Sequence, residues 1–471
     1  MPLFDFLLSL LSVHVVVVFF AGVHVLQYKR DSRSALGWLG LIVLFPIAGA
    51  LLYAIFGINR VSRKAQRISL RYTPEGGRRI AKQSLENGSS ARKVGFNVTG
   101  VELCTGNSVN CYYNGEQAYP AMLDAIENAR SEILLSSYIF DNDESGRRFV
   151  LALSAAKSRG VVVRILLDDV GIRYSFPTIV RELKSARLPF KRFMPLRLLP
   201  PSLSLNLRTH RKLLIADRSV VFAGGMNIGN RQLLDGPSPH RASDLHFRLQ
   251  GPIVPECTAL FAEDWLLSGG DKLPNSCPAP TEGTGFTGGT AEARLISDGP
   301  DETLDSLKLV IMSMIARAQH RVWIMTPYFL PDQQLAGSLS AAALAGVDVR
   351  IMIPQKNNWP VVQWALQHNM IELLETGVNI LQRPPPFAHS KCLLIDDEYS
   401  LIGSSNLDPR SLRLNFELGI ELFDPDLNRE LADHFQTVQP RCIAWSMERI
   451  RARGIGVRLR DATAALFGPY L

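Results

Sequence analysis

The chain of 471 residues is too long for one ordinary hydrophobic core, so we expect two domains or one duplicated unit. Its 51 Lys and Arg residues against 44 Asp and Glu residues give a net charge of +7, which suits anionic partners such as membrane phosphates or nucleic acid. The six cysteines include no C-x-x-C pair, which argues against a zinc site or a dense disulfide framework.

Two apolar runs stand at the N-terminus. Residues 3–26 form the first and residues 35–57 the second, and each is long enough to cross a hydrocarbon core of about 30 Å. A short polar link, residues 27–34, allows the second run to return toward the starting side. A cleaved signal peptide is the alternative for the first run, but a charged leading region and an A-x-A-like cleavage site are missing. We therefore predict a two-helix transmembrane hairpin over residues 1–58.

A basic segment over residues 59–95 follows and is interpreted as a juxtamembrane connector that would attract anionic headgroups. Its first part carries Arg60, Arg63, Lys64, Arg67 and Arg71. The link between the two apolar runs carries Lys29, Arg30 and Arg33. Under the positive-inside rule this difference favours a cytoplasmic location for the remainder of the chain.

The remainder of the chain is duplicated. Residues 119–169 predict helix, strand, helix and strand, and residues 304–355 predict the same order. Residues 269–290 are rich in Gly, Pro and Thr and are interpreted as a linker between the copies. We expect an α/β fold with two halves, residues 96–268 and 291–471, in which helices flank the sheets.

One motif occurs once in each half. The strings HRKLLIADRSVVFAGGMN and HSKCLLIDDEYSLIGSSN share five residues at identical offsets. These residues are His210, Lys212, Asp217, Gly224 and Asn227 in the first half, and His389, Lys391, Asp396, Gly403 and Asn406 in the second. Two matches in register inside a duplicated fold are hard to attribute to chance.

The spacing of histidine and lysine suits phosphodiester chemistry. Residues two apart on a strand point to one face, so each half would present an imidazole and an ammonium together. A two-fold relation would bring both pairs into one cleft, where the lysines hold the non-bridging oxygens of a phosphate. One neutral histidine would attack phosphorus while the other, protonated, acts as general acid and then base. Either histidine could be the nucleophile.

A carboxylate should orient each imidazole through the ring nitrogen remote from phosphorus. Glu417, downstream of the second motif, is predicted to orient His389. Asp244, downstream of the first motif, is predicted to orient His210. The two motif aspartates end the motif strands, where they could serve catalysis or instead hold a turn.

The motif pair, together with GGMN, GSSNLDPRS and NFE, resembles the phospholipase D superfamily over residues of roughly 100 to 471. The N-terminal ALGWLGLIVLFPIAGALLYAIFG resembles the membrane module of bacterial cardiolipin synthases. One departure from the family pattern is Gly225, where Ser is common; the second half keeps Ser404. The superfamily resemblance implies duplicated phospholipase D-like mixed sheets.

The resemblance further implies that two phosphatidylglycerol molecules yield cardiolipin and glycerol through a phosphatidyl-histidine intermediate, without nucleotide or metal. The implied active site comprises His210, Lys212, Asp217, His389, Lys391 and Asp396, supported by Asn227 and Asn406. The expected location is the bacterial inner membrane, with phosphatidylglycerol and cardiolipin as partners, no nucleic acid, and a homo-oligomer as an open possibility.

Residues 191–210, KRFMPLRLLPPSLSLNLRTH, mix basic and apolar side chains and are interpreted as an interfacial segment beside the site, with a plain surface loop as the alternative. Three other functions stay open on sequence alone. A phospholipase D or headgroup-exchange enzyme would share the catalytic residues, a nuclease would share the fold, and a non-catalytic membrane scaffold would use neither motif.

Overall fold

The computed structural model describes residues 2–29, 32–57, 91–195, 207–274, 288–300, 305–466 and 468. The two apolar runs are helical, with α1 over Pro2–Tyr28, α2 over Ser32–Leu44 and α3 over Pro46–Leu52. Many of their apolar side chains, including Phe19 and Phe20, are exposed. Among the described residues, no helix is both long and apolar enough to span a membrane.

Parts of three predicted segments lie outside the described residues: most of the basic connector (59–90), most of the linker (275–287) and the middle of the proposed interfacial segment (196–206). The end of the connector is an exception. Residues Ala91–Thr99 form helix α4, and Ala91, Val94 and Val98 pack against the core of the second half.

A single sheet of 15 strands runs through both halves, accompanied by a two-stranded ribbon. The strands of the first half are β1 (Cys104–Tyr113), β2 (Glu132–Ser137), β3 (Val162–Asp168), β4 (Phe190–Phe193), β5 (Leu213–Ala216), β6 (Val220–Gly224), β7 (Ala242–Ser243) and β8 (Leu245–Gln250). Those of the second half are β9 (Ala291–Asp298), β10 (Arg321–Met325), β11 (Asp348–Pro354), β12 (Asn379–Arg383), β13 (Phe387–Ala388), β14 (Cys392–Ile395), β15 (Tyr399–Gly403), β16 (Glu417–Phe423) and β17 (Ile443–Ala444).

The strand order shows an approximate two-fold symmetry. It runs β17-β12-β11-β10-β14-β15-β16-β9-β1-β8-β6-β5-β2-β3-β4, so β9 and β1 lie at the centre and pair antiparallel. Moving outward from this pair, each half repeats the same sequence of neighbours. Within a half, β2 and β3 (or β10 and β11) are parallel, while β5 (or β14) runs antiparallel to β2 (or β10). The sheet is therefore mixed and duplicated, as predicted.

Helices cover both faces of the sheet. Those of the first half are α5 (Asn114–Asn128), α6 (Glu144–Ser158), α7 (Val180–Ser185) and α8 (Ile253–Leu267). Those of the second half are α9 (Ser306–Ile315), α10 (Gln333–Leu344), α11 (Pro360–Glu375), α12 (Pro409–Arg413), α13 (Pro425–Val438), α14 (Met447–Arg451) and α15 (Ile455–Leu466). Their positions repeat: α5 and α6 in the first half correspond to α9 and α10 in the second, and α8 corresponds to α13.

The hydrophobic core is continuous across the two halves. One cluster joins Phe261 of α8 and Leu249 of β8 to Phe435 of α13 and Leu394 of β14. Each half adds a cluster of its own on the opposite face of the sheet, under α5 and α6 or under α9 and α10. Because the shared cluster buries side chains from both copies, the halves form one folded unit, and the cleft between them is fixed by the core.

Candidate active site

The two motifs begin at the same edge of the sheet. Each motif lysine directly precedes a buried strand, β5 or β14, whose four residues are all buried. Because β5 runs antiparallel to β2, its first residue, Leu213, lies opposite Ser136 at the carboxyl end of β2. In the second half, Cys392 of β14 likewise lies opposite Met325 of β10. Both histidines are thus placed at the carboxyl ends of the parallel strands, where α/β sheets commonly bind ligands.

Each motif is held by the main chain of the other half. The His210 amide donates to the Phe416 carbonyl at 2.9 Å, and the Phe416 amide donates to the Arg208 carbonyl at 2.8 Å. In the other half, the His389 amide donates to the Ser243 carbonyl at 2.8 Å. Strand β13, just before His389, pairs with β7 of the first half. The segments that carry the histidines therefore cross the approximate two-fold axis.

The histidine–carboxylate pairs also cross between halves. His210 Nδ1 lies 3.0 Å from Glu417 Oε1 and 3.1 Å from Glu417 Oε2, and His389 Nδ1 lies 2.6 Å from Asp244 Oδ2. The predicted pairing, Glu417 with His389 and Asp244 with His210, is wrong in its partners. The physical reason is the crossing: β8 and β16 lie near the axis, so the carboxylate at the start of each strand faces the motif of the opposite half.

The ring nitrogens have distinct environments. His210 Nδ1 also lies 2.9 Å from the Ser404 carbonyl, so it faces only acceptors and carries the proton. His389 Nδ1 likewise donates to Asp244, because a carboxylate of lowered pKa can only accept. In the neutral form of each ring, Nε2 is then left with an unshared electron pair. This is the form that a nucleophile or a general base requires.

The motif lysines are buried beside the histidines. Lys212 and Lys391 are only 2% and 4% exposed. Lys212 Nζ donates to the His210 carbonyl at 2.5 Å, and Lys391 Nζ donates to the His389 carbonyl at 2.7 Å. Lys391 Nζ also lies 3.2 Å from both ring nitrogens of His389. The predicted imidazole–ammonium pair is thus present in each half.

The lysine of each half also acts on the histidine of the other half. The charge of Lys391 in the second half lowers the pKa of His210 in the first, although burial is the larger cause. Lys212 acts in the same way on His389, whose pKa falls to about 4 chiefly because the ring is buried. Both imidazoles are therefore neutral near pH 7 before an anion binds.

The charges of the lysines and carboxylates are also set by this cluster. Burial lowers the pKa of Lys212 to about 7, with a further contribution from Lys391, and lowers that of Lys391 to about 8. Burial alone would raise the pKa values of Asp244 and Glu417, but the neighbouring histidines and lysines outweigh it and lower both. A phosphodiester bound between the lysines would favour their charged forms.

Asp217 and Asp396 are not brought to the histidines. They follow the far ends of β5 and β14, about 16 Å along the strand from the motif lysines. Both carboxylates accept main-chain amide protons: Asp217 from residues 130–132 and Asp396 from residues 319–321, at 2.7–3.2 Å. Of the two roles that the sequence left open, these contacts favour the one in which the aspartates hold a turn.

The motif asparagines have different roles in the two halves. Asn227 Oδ1 accepts the Ile139 amide at 3.0 Å and so fixes the chain just after β2. Asn406 Nδ2 donates to Ser411 Oγ at 3.1 Å, while its buried Oδ1 has no hydrogen-bond partner among the described residues. Both asparagines support loops that border the histidines.

Two tyrosines beside the site were missed in the sequence. Tyr138 lies edge-on to His210 with ring centroids 5.1 Å apart, and Lys212 Nζ lies 5.5 Å from the Tyr138 ring centroid. In the second half Tyr328 lies one position beyond the equivalent of Tyr138 and contacts Phe387, which in turn contacts His389. A signal was present: in EILLSSYIF and RVWIMTPYF a tyrosine follows the carboxyl end of the strand, six residues after the start of β2 and seven after the start of β10.

The residues that the structure describes contain no cluster of three or more His, Cys, Asp or Glu side chains that could hold a metal ion. The site instead offers two basic ring nitrogens, two ammonium groups and two carboxylates bound to the remote ring nitrogens. Such a set can attack and stabilise a phosphoryl centre by acid–base and electrostatic means.

Comparison with known proteins assigns the family. The family described as "Cardiolipin synthase, PLD-like domain" matches residues 122–265 and 311–439, one segment in each half. A second family, described as "Phospholipase_D-nuclease N-terminal", matches residues 16–57. The matched segments of the first family cover more than half of the chain, so this protein belongs to the phospholipase D-like cardiolipin synthase family.

Curated relatives match over nearly the whole chain. "Cardiolipin synthase 2" of Staphylococcus epidermidis is 29% identical over 480 residues, covering 98% of this chain and 97% of the relative. "Cardiolipin synthase" of Geobacillus sp. (strain WCH70) is 30% identical, covering 97% and 92%. Among solved structures, phosphatidylserine synthase of Haemophilus influenzae superposes with a TM-score of 0.61 at 15% identity, covering 81% of this chain and all of that one. That structure supports the fold alone.

Proposed function

We propose that this protein is a cardiolipin synthase that transfers a phosphatidyl group from one phosphatidylglycerol molecule to another, releasing glycerol. The observation that carries this proposal is the cleft in which each half supplies an imidazole and a lysine, while the orienting carboxylate comes from the opposite half. Such a cleft is complete only at the junction of the halves, which suits one phosphorus atom held between two catalytic groups. The named relatives supply the substrate class.

In the first step, Nε2 of one histidine attacks the phosphorus of phosphatidylglycerol. The bond between phosphorus and the oxygen of the glycerol headgroup breaks, and the second histidine gives its proton to the departing oxygen. Lys212 and Lys391 stabilise the charge that accumulates on the non-bridging oxygens. The products of this step are glycerol and a phosphatidyl-histidine.

In the second step, the now neutral second histidine removes the proton from a headgroup hydroxyl of another phosphatidylglycerol. That oxygen attacks phosphorus, the phosphorus–nitrogen bond breaks, and cardiolipin forms with the first histidine regenerated. Binding of the anionic phosphodiester would favour uptake of a proton from solvent by the second histidine, because a nearby negative charge raises an imidazole pKa.

Attack by water instead of a lipid hydroxyl would make the enzyme a phospholipase D, and another alcohol would make it a headgroup-exchange enzyme. The test is to supply purified protein with phosphatidylglycerol and to separate the products. We expect cardiolipin and glycerol in equal amounts, and loss of both in the His210→Ala and His389→Ala variants. Predominant phosphatidic acid would contradict the synthase assignment.

We also propose that residues 1–58 anchor the enzyme in the membrane as a hairpin, with the catalytic halves on the cytoplasmic side. Support comes from the two apolar runs, from exposed apolar side chains such as Phe20, Leu36 and Ile47, and from the match over residues 16–57. Deleting residues 1–58 should move much of the protein from the membrane to the soluble fraction. Full retention in the membrane fraction would refute the anchor.

A further inference from the structure

The loops that follow β3 and β11 carry exposed aromatic side chains. Phe176 is 98% exposed on the first loop and Trp359 is 59% exposed on the second. Together with Tyr174, they are the exposed aromatic residues that the described part of the chain places outside α1 to α3. Since β3 and β11 are equivalent in the two halves, the loops occupy equivalent positions at the edge of the sheet that holds the histidines.

In the first half, a line of aromatic rings leads from the site to the loop. His210 contacts Tyr138, and Tyr138 contacts Tyr174 edge-on with ring centroids 6.3 Å apart. Tyr174 is half exposed and stands two residues before Phe176. The loop is held against the site because Gly171 packs directly on the Tyr138 carbonyl, with no room for a side chain.

The second half has a line of aromatic rings too, but it takes a different route. His389 contacts Phe387 at 6.0 Å between ring centroids, and Phe387 contacts Tyr328 at 6.1 Å. The second loop is tied to this line because Asn357 Nδ2 donates to the carbonyl of Pro327, the residue before Tyr328, at 3.4 Å. Both loops leave the sheet at the carboxyl ends of its parallel strands, the edge where the two motifs begin, so they flank the entrance to the shared site.

Basic side chains surround this entrance. Arg173 and Arg192 are 54% and 47% exposed and share one buried partner, Asp169, which leaves a surplus of positive charge. Lys356, on the second loop, is also exposed. Aromatic side chains at the tip of a loop with cations behind them suit the interface of an anionic bilayer, where rings enter the headgroup region and cations meet phosphates.

We propose that Phe176 and Trp359 insert into the headgroup region of an anionic phospholipid bilayer and seat the entrance of the cleft on the membrane. The idea rests on the proposed function, since a lipid-transferring site needs its substrates delivered from a bilayer. Two contact points, one from each half, would fix the cleft opening toward the lipid. The headgroups could then reach the histidines while the acyl chains remain in the membrane.

The direct test is fluorescence quenching in the full-length protein, reconstituted in vesicles of phosphatidylglycerol with brominated acyl chains. The double variant Phe176→Trp, Trp359→Phe is compared with the single variant Trp359→Phe, whose fluorescence is subtracted. The matched control is Leu344→Trp in the same background. Leu344 is the last residue of α10 and is 72% exposed. It lies near the amino end of β11, and the length of that strand, about 23 Å, separates it from the second loop.

We expect the brominated lipid to quench the tryptophan at position 176 at least about threefold more than the one at position 344. Equal quenching would overturn the proposal. Emission at position 176 that changes with protein density but not with bromination would also overturn it, because a second copy of the chain would then cover the loops.

Activity provides a second readout. The double variant Phe176→Ser, Trp359→Ser should raise the KM for phosphatidylglycerol in vesicles by about tenfold. Its turnover of a short-chain phosphatidylglycerol dissolved as monomers should stay unchanged. A folding defect would instead lower the activity on monomeric lipid as well as on vesicles. A protein that makes no cardiolipin would refute the proposed function, while the quenching result would still decide whether the loops bind the bilayer.

Discussion

The two histidine–carboxylate pairs occupy equivalent places but differ in what surrounds the carboxylate. Glu417, which orients His210, also accepts Ser404 Oγ at 2.5 Å and Asn415 Nδ2 at 3.2 Å. Asp244, which orients His389, accepts the Leu245 amide at 2.8 Å in addition to the histidine. The strands of the two halves are arranged alike, but Glu417 accepts hydrogen bonds from more groups than Asp244 does.

The difference has an identifiable cause in the motif. Ser404 in the second half corresponds to Gly225 in the first. A Cβ on Gly225 would lie 2.6 Å from Asp244 Oδ1, so the carboxylate occupies the space that a serine side chain would need. Gene duplication has thus left two similar pairs whose histidines need not serve the same step. We expect His389 to depend more on its carboxylate than His210 does.

The largest effect should come from neutralising the carboxylates. Asp244→Asn should lower kcat about 10³-fold, because the His389–Asp244 contact is short and an amide no longer stabilises a protonated ring. Glu417→Gln should lower kcat about 10²-fold, since the Ser404 carbonyl still accepts the His210 Nδ1 proton. Steady-state kinetics of both variants measure the contrast. Equal losses would show that the pairs are functionally alike.

The pH dependence of kcat/KM should separate the two lysines. Their pKa values are lowered, to about 7 for Lys212 and about 8 for Lys391, so each is charged below its value and loses its proton above it. We therefore expect kcat/KM to fall on the alkaline side, by at least about tenfold between pH 7 and 9. In the Lys212→Arg variant the fall in kcat/KM should begin at a higher pH, since arginine stays charged. A flat profile to pH 9 would refute the role of the lysines.

Exchanging the residues that differ between the halves should have a smaller effect. Gly225→Ser should lower the free energy of unfolding by about 1–3 kcal/mol, because the new side chain meets the Asp244 carboxylate. Ser404→Gly should lower kcat by less than about tenfold, since Glu417 loses one donor but keeps His210 and Asn415. Thermal unfolding and kinetics of each variant check these values. An unperturbed Gly225→Ser variant would show that the carboxylate is free to move.

Where the halves are alike, their variants should be alike. Asp217→Asn and Asp396→Asn each weaken hydrogen bonds to three consecutive amides, so we expect about 1–3 kcal/mol less stability in either variant. The kcat of the folded protein should be nearly unchanged. Calorimetry and kinetics at low temperature separate these quantities. A large fall in kcat without loss of stability would restore these residues to the catalytic set.

Much of the fold could be predicted because its signals are local. The apolar runs at β2, β3, β10 and β11, each preceded by a helical pattern, are confirmed as strands of a duplicated mixed sheet. The paired motifs identified the family, which the comparisons confirm. The boundaries of the halves, taken from composition, stay predictions.

The catalytic pairing could not be predicted because it depends on how the halves cross. His210 and Glu417 are 207 residues apart, and no local pattern says which copy supplies which carboxylate. The motif aspartates were ambiguous for a different reason. Both lie at φ of +49°, a backbone conformation that aspartate tolerates in turns, and only the structure shows the amides that they hold.

The most direct test of two halves acting on one phosphorus is the stoichiometry of the covalent intermediate. Rapid alkaline quenching of the enzyme with phosphatidylglycerol, followed by peptide mass spectrometry, should find one phosphatidyl adduct per chain, always on the same one of the two histidines at 210 and 389. Replacing the other histidine with alanine should slow its formation by orders of magnitude. Adducts on both histidines of one molecule, or on any other residue, would contradict a shared site.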